Sequence, residues 1–456
     1  MKSAKASNRR TISRRSFLRA SALAGLGASA GGSLLASCAP AGGGDGDGGE
    51  AKELRALVMN LPWGEAVRDE IAQAYEEETG VKIVGDVAPY DTLQEKVFLE
   101  LGAGSSSYDI VATDCIWVGA CINSNWVLSV EDMKEENPDL PDIKWDTPIP
   151  ASLPYVADLD GKRYGIPSSL TTPTLAYRQD LFDQWGFDAP TTWDEYYALL
   201  DECQKAIEAD GLEDFYPTCL IQASQDPGYS DWTFHLFGFG PVSDKGDGYI
   251  LSAEGEPIFN IDDRGVKALD DLHRVLPYCP EGTLGFDYGE GSNLFNSGKS
   301  AMLLTWNDFY ADTENPEFSE VAGQVGYTAI PAHTMQVNPV GGFQLFINAA
   351  SENPEEAYKL LAWIMEGPAF DMILEKGETG IQVKKDLEDP DVIERLPYLA
   401  AWKGIENTAY IPVWFEAFTE VQRVVWEEVA SSLAGEKSSE DAMQAAEERV
   451  REVMEV

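Results

Sequence analysis

Residues 54–87 read LRALVMNLPWGEAVRDEIAQAYEEETGVKIVGDV. The apolar run 54–59 predicts a buried strand, and residues 60–64 predict a loop. Apolar residues at helical spacing then predict a helix from about Glu65 to Thr79, which ends at Gly80. Residues 81–87 predict the next strand. A strand, a loop and a helix followed by another strand form the repeating unit of α/β proteins, so this stretch predicts a mainly parallel sheet with its site at the strand ends.

The same pattern continues along the chain and ends a third strand on a carboxylate. A helix capped by Asp91 is expected to reach about Leu101, and the apolar run 108–114 ends on Asp114. The roughly 415 residues that follow position 38 are more than one core usually holds, so two domains of about 200 residues are expected.

The first fifty residues have the composition of an export signal followed by a tether. Seven basic residues and no acid precede an Ala- and Gly-rich run that is too short and too weakly apolar for a stable transmembrane helix. Residues 13–19, SRRSFLR, resemble a twin-arginine export motif, and residues 35–38, LASC, resemble a lipobox in which Cys38 receives the lipid. We therefore expect a twin-arginine lipoprotein signal at 1–37 and a flexible tether at 38–51. The alternative is a chance arginine pair in a basic tail and an ordinary cysteine at position 38.

The chain is strongly acidic, and this excludes polyanionic partners. It has 33 Lys and Arg against 78 Asp and Glu, a formal net charge of -45. Without residues 1–37 the balance is 26 minus 78, or -52. We therefore expect no nucleic-acid partner. Adaptation to high salt and a general acidic bias of exposed surfaces both explain this charge, and the sequence does not decide between them.

Cysteine, histidine and motif content argue against a cofactor, a metal or an enzyme. Besides Cys38 there are five cysteines, which could form one disulfide or two in an oxidising compartment, with the pairing left open. The three histidines lack metal-ligand spacing, so no metal site is expected. No GxSxG, HExxH or nucleotide-binding glycine loop is present, so we expect no enzyme and no cofactor. A secreted glycoside hydrolase with two catalytic carboxylates is the remote alternative.

Several motifs, collinear over nearly all of residues 52–456, together resemble one family. They are Asp114 with Trp117 and WVL at 126–128, DGKRYGIP at 160–167, FNSGKSAM at 295–302 with Trp306, GGFQLFIN at 341–348, and GIQV at 380–383. In this order they resemble the family 1 extracellular solute-binding proteins, the maltose-binding-protein-like carbohydrate-binding lipoproteins of ABC importers.

The resemblance implies a fold and a domain layout. The fold is α/β, the two-lobed periplasmic-binding-protein type II-like arrangement, with two mixed or parallel sheets flanked by helices and a three-segment hinge. Lobe I would comprise 52–167 plus 340–383, and lobe II 168–339 plus 384–456. Three crossings, after the hairpin 160–167, at 341–348 and at 380–383, are expected to run as parallel strands. They would let the cleft close on a ligand while the lobes stay joined.

The expected site follows from the chemistry of sugars. Sugar hydroxyls need carboxylate or amide partners, and sugar C–H faces pack against aromatic rings. This chemistry, together with the aromatic positions that the resemblance implies at Trp306 and Trp232, gives the predicted ligand-binding residues. They are Trp63, Glu65, Asp114, Trp117, Tyr229, Trp232, Trp306, Asn307, Gly341, Gly342 and Trp414. A helix cap is the alternative role for Asp114, a lobe II core position for Trp232, and packing or turn geometry for Trp63, Glu65, Trp414 and the two glycines. Tryptophans at 126, 193, 363 and 426 are expected in cores.

The resulting functional prediction is a binding protein. It is expected to be the substrate-binding component of an ABC importer, a monomer anchored through lipid on Cys38 at the outer face of the cell membrane. Its partners would be the permease subunits and a small neutral solute, a sugar or oligosaccharide. A polyol, a polyamine or another small solute is the alternative ligand.

Overall fold

The computed structural model describes residues 52–158, 160–242, 248–376, 389–402, 408–409 and 415–455. Several predicted features lie outside these residues: the signal 1–37, the tether 38–51 with Cys38, the crossing at 380–383, and Trp414. Within the described residues, no helix is both long enough and apolar enough to cross a membrane.

Ten strands are described. They are β1 (Glu53–Met59), β2 (Lys82–Ala88), β3 (Ile110–Asp114), β4 (Gly165–Pro167), β5 (Pro173–Arg178), β6 (Met302–Trp306), β7 (Val325–Ala329), β8 (Asn338–Pro339), β9 (Phe343–Ile347) and β10 (Thr408–Ala409).

Fourteen helices accompany them. They are α1 (Pro62–Ala66, continued through the π-helical turn Val67–Ile71 to Ala72–Thr79), α2 (Tyr90–Gly102), α3 (Val118–Asn123), α4 (Val130–Glu136), α5 (Gln179–Trp185), α6 (Trp193–Asp210), α7 (Gln225–Phe237), α8 (Arg264–Val275), α9 (Tyr288–Asn296), α10 (Pro354–Ile364), α11 (Pro368–Glu375), α12 (Pro390–Arg395), α13 (Phe418–Leu433) and α14 (Ser439–Met454).

The larger sheet is mixed and has the strand order β2-β1-β3-β9-β4. β1 pairs in parallel with β2 and β3, as the strand–helix–strand pattern of 54–87 predicts, whereas β9 runs antiparallel to both β3 and β4. We call the part of the chain built on this sheet lobe I. Its three parallel strands direct their carboxyl ends, with Met59 and Asp114, toward one edge.

The smaller sheet has the order β6-β5-β7, and all its pairings are antiparallel. Helices α7, α8, α13 and α14 pack on one another in the same part of the chain, which we call lobe II. Both lobes thus combine a buried sheet with flanking helices. The residue-level lobe boundaries expected from the sequence stay a prediction.

Two described crossings join the lobes, and they are hydrogen-bonded to each other. The chain leaves lobe I after β4 and enters lobe II at β5, then returns between β7 and β9. Backbone bonds link Thr171 to Gly341 in both directions, at 3.1 and 2.9 Å, and Phe343 N donates to Ser169 O at 3.0 Å. The β4–β9 ladder therefore continues through the hinge as one antiparallel ribbon, not as the parallel strands that the sequence interpretation assumed.

The third predicted crossing, at 380–383, lies outside the described residues, but residues on either side of it are described. Lys376 Nζ lies 2.8 Å from Glu70 Oε1 of lobe I. Further along, the Tyr398 ring packs 5.9 Å from Tyr327 of β7 in lobe II. Lys376 thus contacts lobe I and Tyr398 contacts lobe II, while the crossing predicted at 380–383 stays a prediction.

Local predictions made from side chains can be checked individually. Residues 192–195, TWDE, form a capping box at the start of α6, because Thr192 Oγ1 accepts from Glu195 N at 3.2 Å and Glu195 Oε2 accepts from Thr192 N at 3.1 Å. The expected Asp91 cap is wrong: Pro89 stands at the N-cap of α2, and Asp91 lies one residue inside the first turn. The five described cysteines are free, so no disulfide forms among them.

Candidate functional site

A cleft between the two lobes is lined by residues from four α-helices, four strands, two 3-10 turns and the hinge. The space between its walls that protein atoms do not fill has a volume of about 560 Å³, and this volume includes open solvent. The centre of a water molecule fits in only about 40 Å³ of it. The cleft is therefore a narrow slot in this structure. Its lining residues are Met59, Tyr90, Asp114, Cys115, Ile116, Thr171, Asp226, Tyr229, Ser230, Thr233, Phe237, Tyr288, Trp306, Asp308, Phe309, Gly341, Gly342, Phe343 and Gln422.

Helix α7 forms much of the lobe II wall. Asp226, Tyr229, Ser230, Thr233 and Phe237 all line the cleft, and their spacing of three or four residues places them on one face of the helix. One helix therefore supplies a carboxylate, two hydroxyls and two aromatic rings to the same surface.

Asp226 is held in place by two donors from other helices. Its Oδ2 accepts from the Tyr288 hydroxyl at 2.7 Å, and its Oδ1 accepts from Gln422 Nε2 at 2.7 Å. Gln422 is itself fixed, because its Oε1 accepts from Gln225 Nε2 at 2.8 Å. The Tyr288 ring stacks on Phe309 at 4.4 Å and 15°. The carboxyl group is therefore part of a rigid polar network that joins α7, α9 and α13.

Asp114 faces the cleft from lobe I at the end of β3. Its Oδ1 accepts from Ile116 N at 3.1 Å and so caps the short 3-10 turn that follows. Asp114 therefore caps this turn and also lines the cleft, so the two roles considered for it do not exclude each other. The Tyr90 hydroxyl lies near both Asp114 and Asp226, although it forms no hydrogen bond of normal geometry with the described residues.

The cleft is an acidic, desolvated environment. Burial raises the pKa of Asp114, and the nearby Asp226 carboxylate raises it further. Burial also raises the pKa of Asp226, whereas the hydrogen bonds from Tyr288 and Gln422 act in the opposite direction and lower it. Asp308 is a third carboxylate in the lining and is buried. Among the described lining residues there is no Lys, Arg or His to offset these charges. Hydroxyl or ammonium groups of a ligand would stabilise them.

Trp306, the last residue of β6, presents an aromatic surface beside the hinge. Its Nε1 donates to Ser230 Oγ at 3.2 Å, and its ring meets Phe234 edge to face at 5.4 Å. A Cβ at Gly341 would lie only 3.1 Å from the indole. Gly342 has φ +128°, and a Cβ there would lie 2.1 Å from Ser169 O, so this position requires glycine. Both hinge glycines therefore let the backbone approach its neighbours closely.

The predicted site residues divide into those that line the cleft and those that do not. Asp114, Tyr229, Trp306, Gly341 and Gly342 line it. Their role in binding stays a prediction. Trp414 lies outside the described residues.

Five predicted residues occupy other positions. Trp63 and Trp117 are fully buried behind the lining, with ring centroids 5.4 Å from Phe343 and 5.3 Å from Tyr90 respectively. Trp232 is a core residue whose Nε1 donates to Gly265 O at 3.1 Å, as its alternative role anticipated. Glu65 is partly exposed near Arg68. Asn307 is buried and clamps the hinge, since its Oδ1 accepts from Thr172 N at 2.8 Å.

The residues that the sequence interpretation missed lie mostly on helices. Tyr90, Asp226, Ser230, Tyr288 and Gln422 come from α2, α7, α9 and α13. A signal existed for α7, because positions 226, 229, 230, 233 and 237 follow a helical period. The other three carry no local signal, since only the fold brings their helices together.

The chain forms two α/β lobes joined by a hinge, and aromatic rings and carboxylates line the cleft between them. This combination is typical of ligand-binding proteins. The model of the bacterial extracellular solute-binding protein family matches residues 62–366, and the chain belongs to this family. It is 23% identical over 402 residues to a protein of Sinorhizobium fredii named as a probable amino-acid ABC transporter periplasmic-binding protein, an alignment that covers 86% of each chain.

Solved structures show the same fold. An ABC transporter solute-binding protein from Agrobacterium radiobacter K84, in complex with ribitol, is similar with a TM-score of 0.75 and 23% identity, covering 88% of this chain and 98% of that one. Maltose-bound T. maritima MalE3 is similar with a TM-score of 0.74 and 21% identity, covering 88% of this chain and 99% of that one. The predicted family and the two-lobed fold are thereby confirmed. The family and these structural neighbours are binding proteins.

Proposed function

We propose that this protein is the substrate-binding component of an ABC importer and that it captures a small polyhydroxylated solute, a sugar or a polyol, by closing its lobes. The observation that carries the proposal is the pairing of aromatic rings with carboxylates in one interlobe cleft. Trp306, Tyr229, Tyr288 and Phe309 offer faces and edges to C–H groups, while Asp114 and Asp226 accept hydroxyl hydrogen bonds from opposite lobes.

Closure follows from the position of these two carboxylates. Asp114 belongs to lobe I and Asp226 to lobe II, so a ligand that donates to both is bound fully only when the lobes approach each other. Such differential contact is what shifts a hinge equilibrium toward the closed form. The narrow slot favours a compact ligand over a long oligosaccharide.

Calorimetry and thermal unfolding against a carbohydrate panel test this function. Ribitol, mannitol, maltose and common monosaccharides are the probes. Micromolar binding corresponds to about -8 kcal/mol, and ligand at a hundredfold excess over Kd stabilises the fold by roughly 2.7 kcal/mol. A protein that is folded yet silent toward every sugar and polyol would refute the ligand class.

A second ligand class, polyamines or other amine-bearing solutes, has its own supporting observation. Three carboxylates line the cleft and no basic residue does so among the described residues, so an ammonium group would be held by charge as well as by aromatic faces. Spermidine binding that weakens steeply with salt, without response to ribitol or maltose, would favour this class. Phosphorylated ligands would be repelled by the same carboxylates.

The proposal includes export and anchoring but no catalysis. Residues 13–19 and 35–38 support twin-arginine export and lipid attachment at Cys38. The proposal has the protein act as a monomer on the outer face of the cell membrane, beside its permease. Palmitate labelling that is lost in Cys38→Ser tests the anchor, and retention in the cytoplasm after Arg14→Lys with Arg15→Lys tests the export route. Release of reducing sugar from oligosaccharides by purified protein would contradict the absence of catalysis.

A further inference from the structure

Two of the three histidines of the chain meet at one carboxylate inside lobe II. His235 lies near the end of α7, Asp271 lies on α8, and His333 lies between β7 and β8. One potential metal-binding atom from each of these side chains lies within 4.8 Å of those of the other two. We call these three residues the His–Asp cluster. Their separation along the chain explains why spacing in the sequence predicts no metal site.

The distances within the cluster match those between ligands of one ion. Asp271 Oδ2 lies 2.9 Å from His333 Nε2 and 3.9 Å from His235 Nδ1. Ligands held about 2.0–2.2 Å from a tetrahedral Zn²⁺ are themselves about 3.3 Å apart, which lies between the two observed values. Moreover, His333 Nε2 forms no hydrogen bond of normal geometry with the described residues, despite its short distance from Asp271. The nitrogen approaches the carboxylate without pointing at it, as two ligands of a common ion do.

The surrounding side chains hold the three ligands in place. Asp271 Oδ1 lies 3.4 Å from Arg274 Nη1, so one carboxylate oxygen pairs with the guanidinium and the other faces the histidines. The His235 ring stacks on Trp193 at 3.8 Å, and the His333 ring stacks on Phe239 at 4.0 Å. The two stacking contacts restrict rotation of the imidazole rings.

We propose that the His–Asp cluster binds one divalent transition-metal ion, with Zn²⁺ as the best match. Two imidazoles and one carboxylate suit Zn²⁺, whereas Ca²⁺ and Mg²⁺ prefer oxygen ligands throughout. The Tyr197 hydroxyl, 2.9 Å from His235 Nδ1, is a candidate for the fourth ligand, in which case its hydrogen bond to that nitrogen would be replaced by coordination of the ion.

The role of the ion would be structural. It would join α7, α8 and the segment that leads from β7 to the hinge. It would not touch the solute, because His235 is absent from the lining although α7 carries five lining residues. The proposal is therefore independent of the solute that the cleft binds.

The test uses purified protein stripped of metal and then titrated with Zn²⁺ and Co²⁺. We expect one ion per chain, a higher unfolding temperature with Zn²⁺, and Co²⁺ absorption bands of tetrahedral intensity. His333→Gln and Asp271→Asn should each weaken Zn²⁺ binding by at least tenfold and abolish the Co²⁺ bands. His333 is suitable because its side chain remains 15% exposed, which limits the disturbance to the core.

His273→Ala is the matched control. His273 lies on α8 near Asp271, but its Nε2 pairs with Ser432 Oγ at 2.9 Å, outside the cluster. This variant should bind both ions as the parent protein does. Circular dichroism shows whether each variant is folded. The proposal is overturned if the folded parent protein binds no stoichiometric ion, or if His333→Gln binds Zn²⁺ and Co²⁺ as tightly as His273→Ala does.

Discussion

Trp306→Ala separates ligand binding from stability more clearly than other changes in the cleft. The substitution removes one hydrogen bond, from Nε1 to Ser230 Oγ at 3.2 Å, and one edge-to-face contact, with Phe234 at 5.4 Å. Each is worth about 0.5–1.5 kcal/mol, so these two contacts account for roughly 1–3 kcal/mol of the stability that the unliganded protein should lose, and lost apolar burial adds to it. Loss of the aromatic surface should weaken solute binding at least tenfold, about 1.4 kcal/mol. Calorimetry with the solute identified in the panel, at a temperature where both proteins are folded, measures this effect.

Trp363→Ala is the matched comparison because Trp363 makes the same two kinds of contact away from the cleft. Its Nε1 donates to Glu78 Oε2 at 2.9 Å, and its ring meets Tyr75 edge to face at 5.4 Å. The two variants should lose similar stability in chemical denaturation, but Trp363→Ala should keep the parent affinity. Equal affinities for the Trp306→Ala and parent proteins would refute the role of Trp306 as an aromatic platform.

Three further predictions concern the hinge, a buried acid and a helix cap. Gly342→Ala should destabilise the protein strongly in urea denaturation, because its φ is +128° and the new Cβ would lie 2.1 Å from Ser169 O, whereas Gly285→Ala, with nothing within 4 Å, should be nearly neutral; equal midpoints would contradict this. Burial raises the pKa of Asp231 to about 7, so protonation favours the folded state, and the free energy of unfolding should fall as pH rises from about 4 to about 7. Asp231→Asn should flatten this pH dependence, and an unchanged pH dependence would contradict the prediction. Thr192→Ala should cost about 1 kcal/mol of unfolding free energy without changing solute affinity, since it removes only a helix cap, and a loss of affinity would show a wider role.

The sequence predicted the fold well where local pattern and resemblance agree. The strand at 54–59, the helix that ends before Gly80 and the capping box at Thr192 are encoded in adjacent residues, although that helix begins at Pro62 and not at about Glu65. The antiparallel direction of the hinge strands is not encoded in adjacent residues. It depends on β9 inserting between β3 and β4, a pairing of segments more than 170 positions apart.

The site was predicted in part, and α7 shows why. Residues 225–232 drew attention to Tyr229 and Trp232 because both are aromatic. Once the segment is helical, Tyr229 and Asp226 share a face, while Trp232 points into the core toward Gly265. Pro227 and Gly228 conceal this period, because they are unusual inside a helix and suggest a loop. A large aromatic residue alone does not distinguish a ligand platform from a core position, as the full burial of Trp63 and Trp117 also shows.

The hydrogen bonds between Thr171 and Gly341 have a mechanical consequence. Two separate linkers could each twist and slide independently. Two strands joined by backbone hydrogen bonds move together, so they bend easily perpendicular to the plane of the ribbon and resist sliding past each other. Opening would then be described by one angle. A transporter that contacts the outer surfaces of both lobes could read that angle as a direct measure of whether the protein carries cargo.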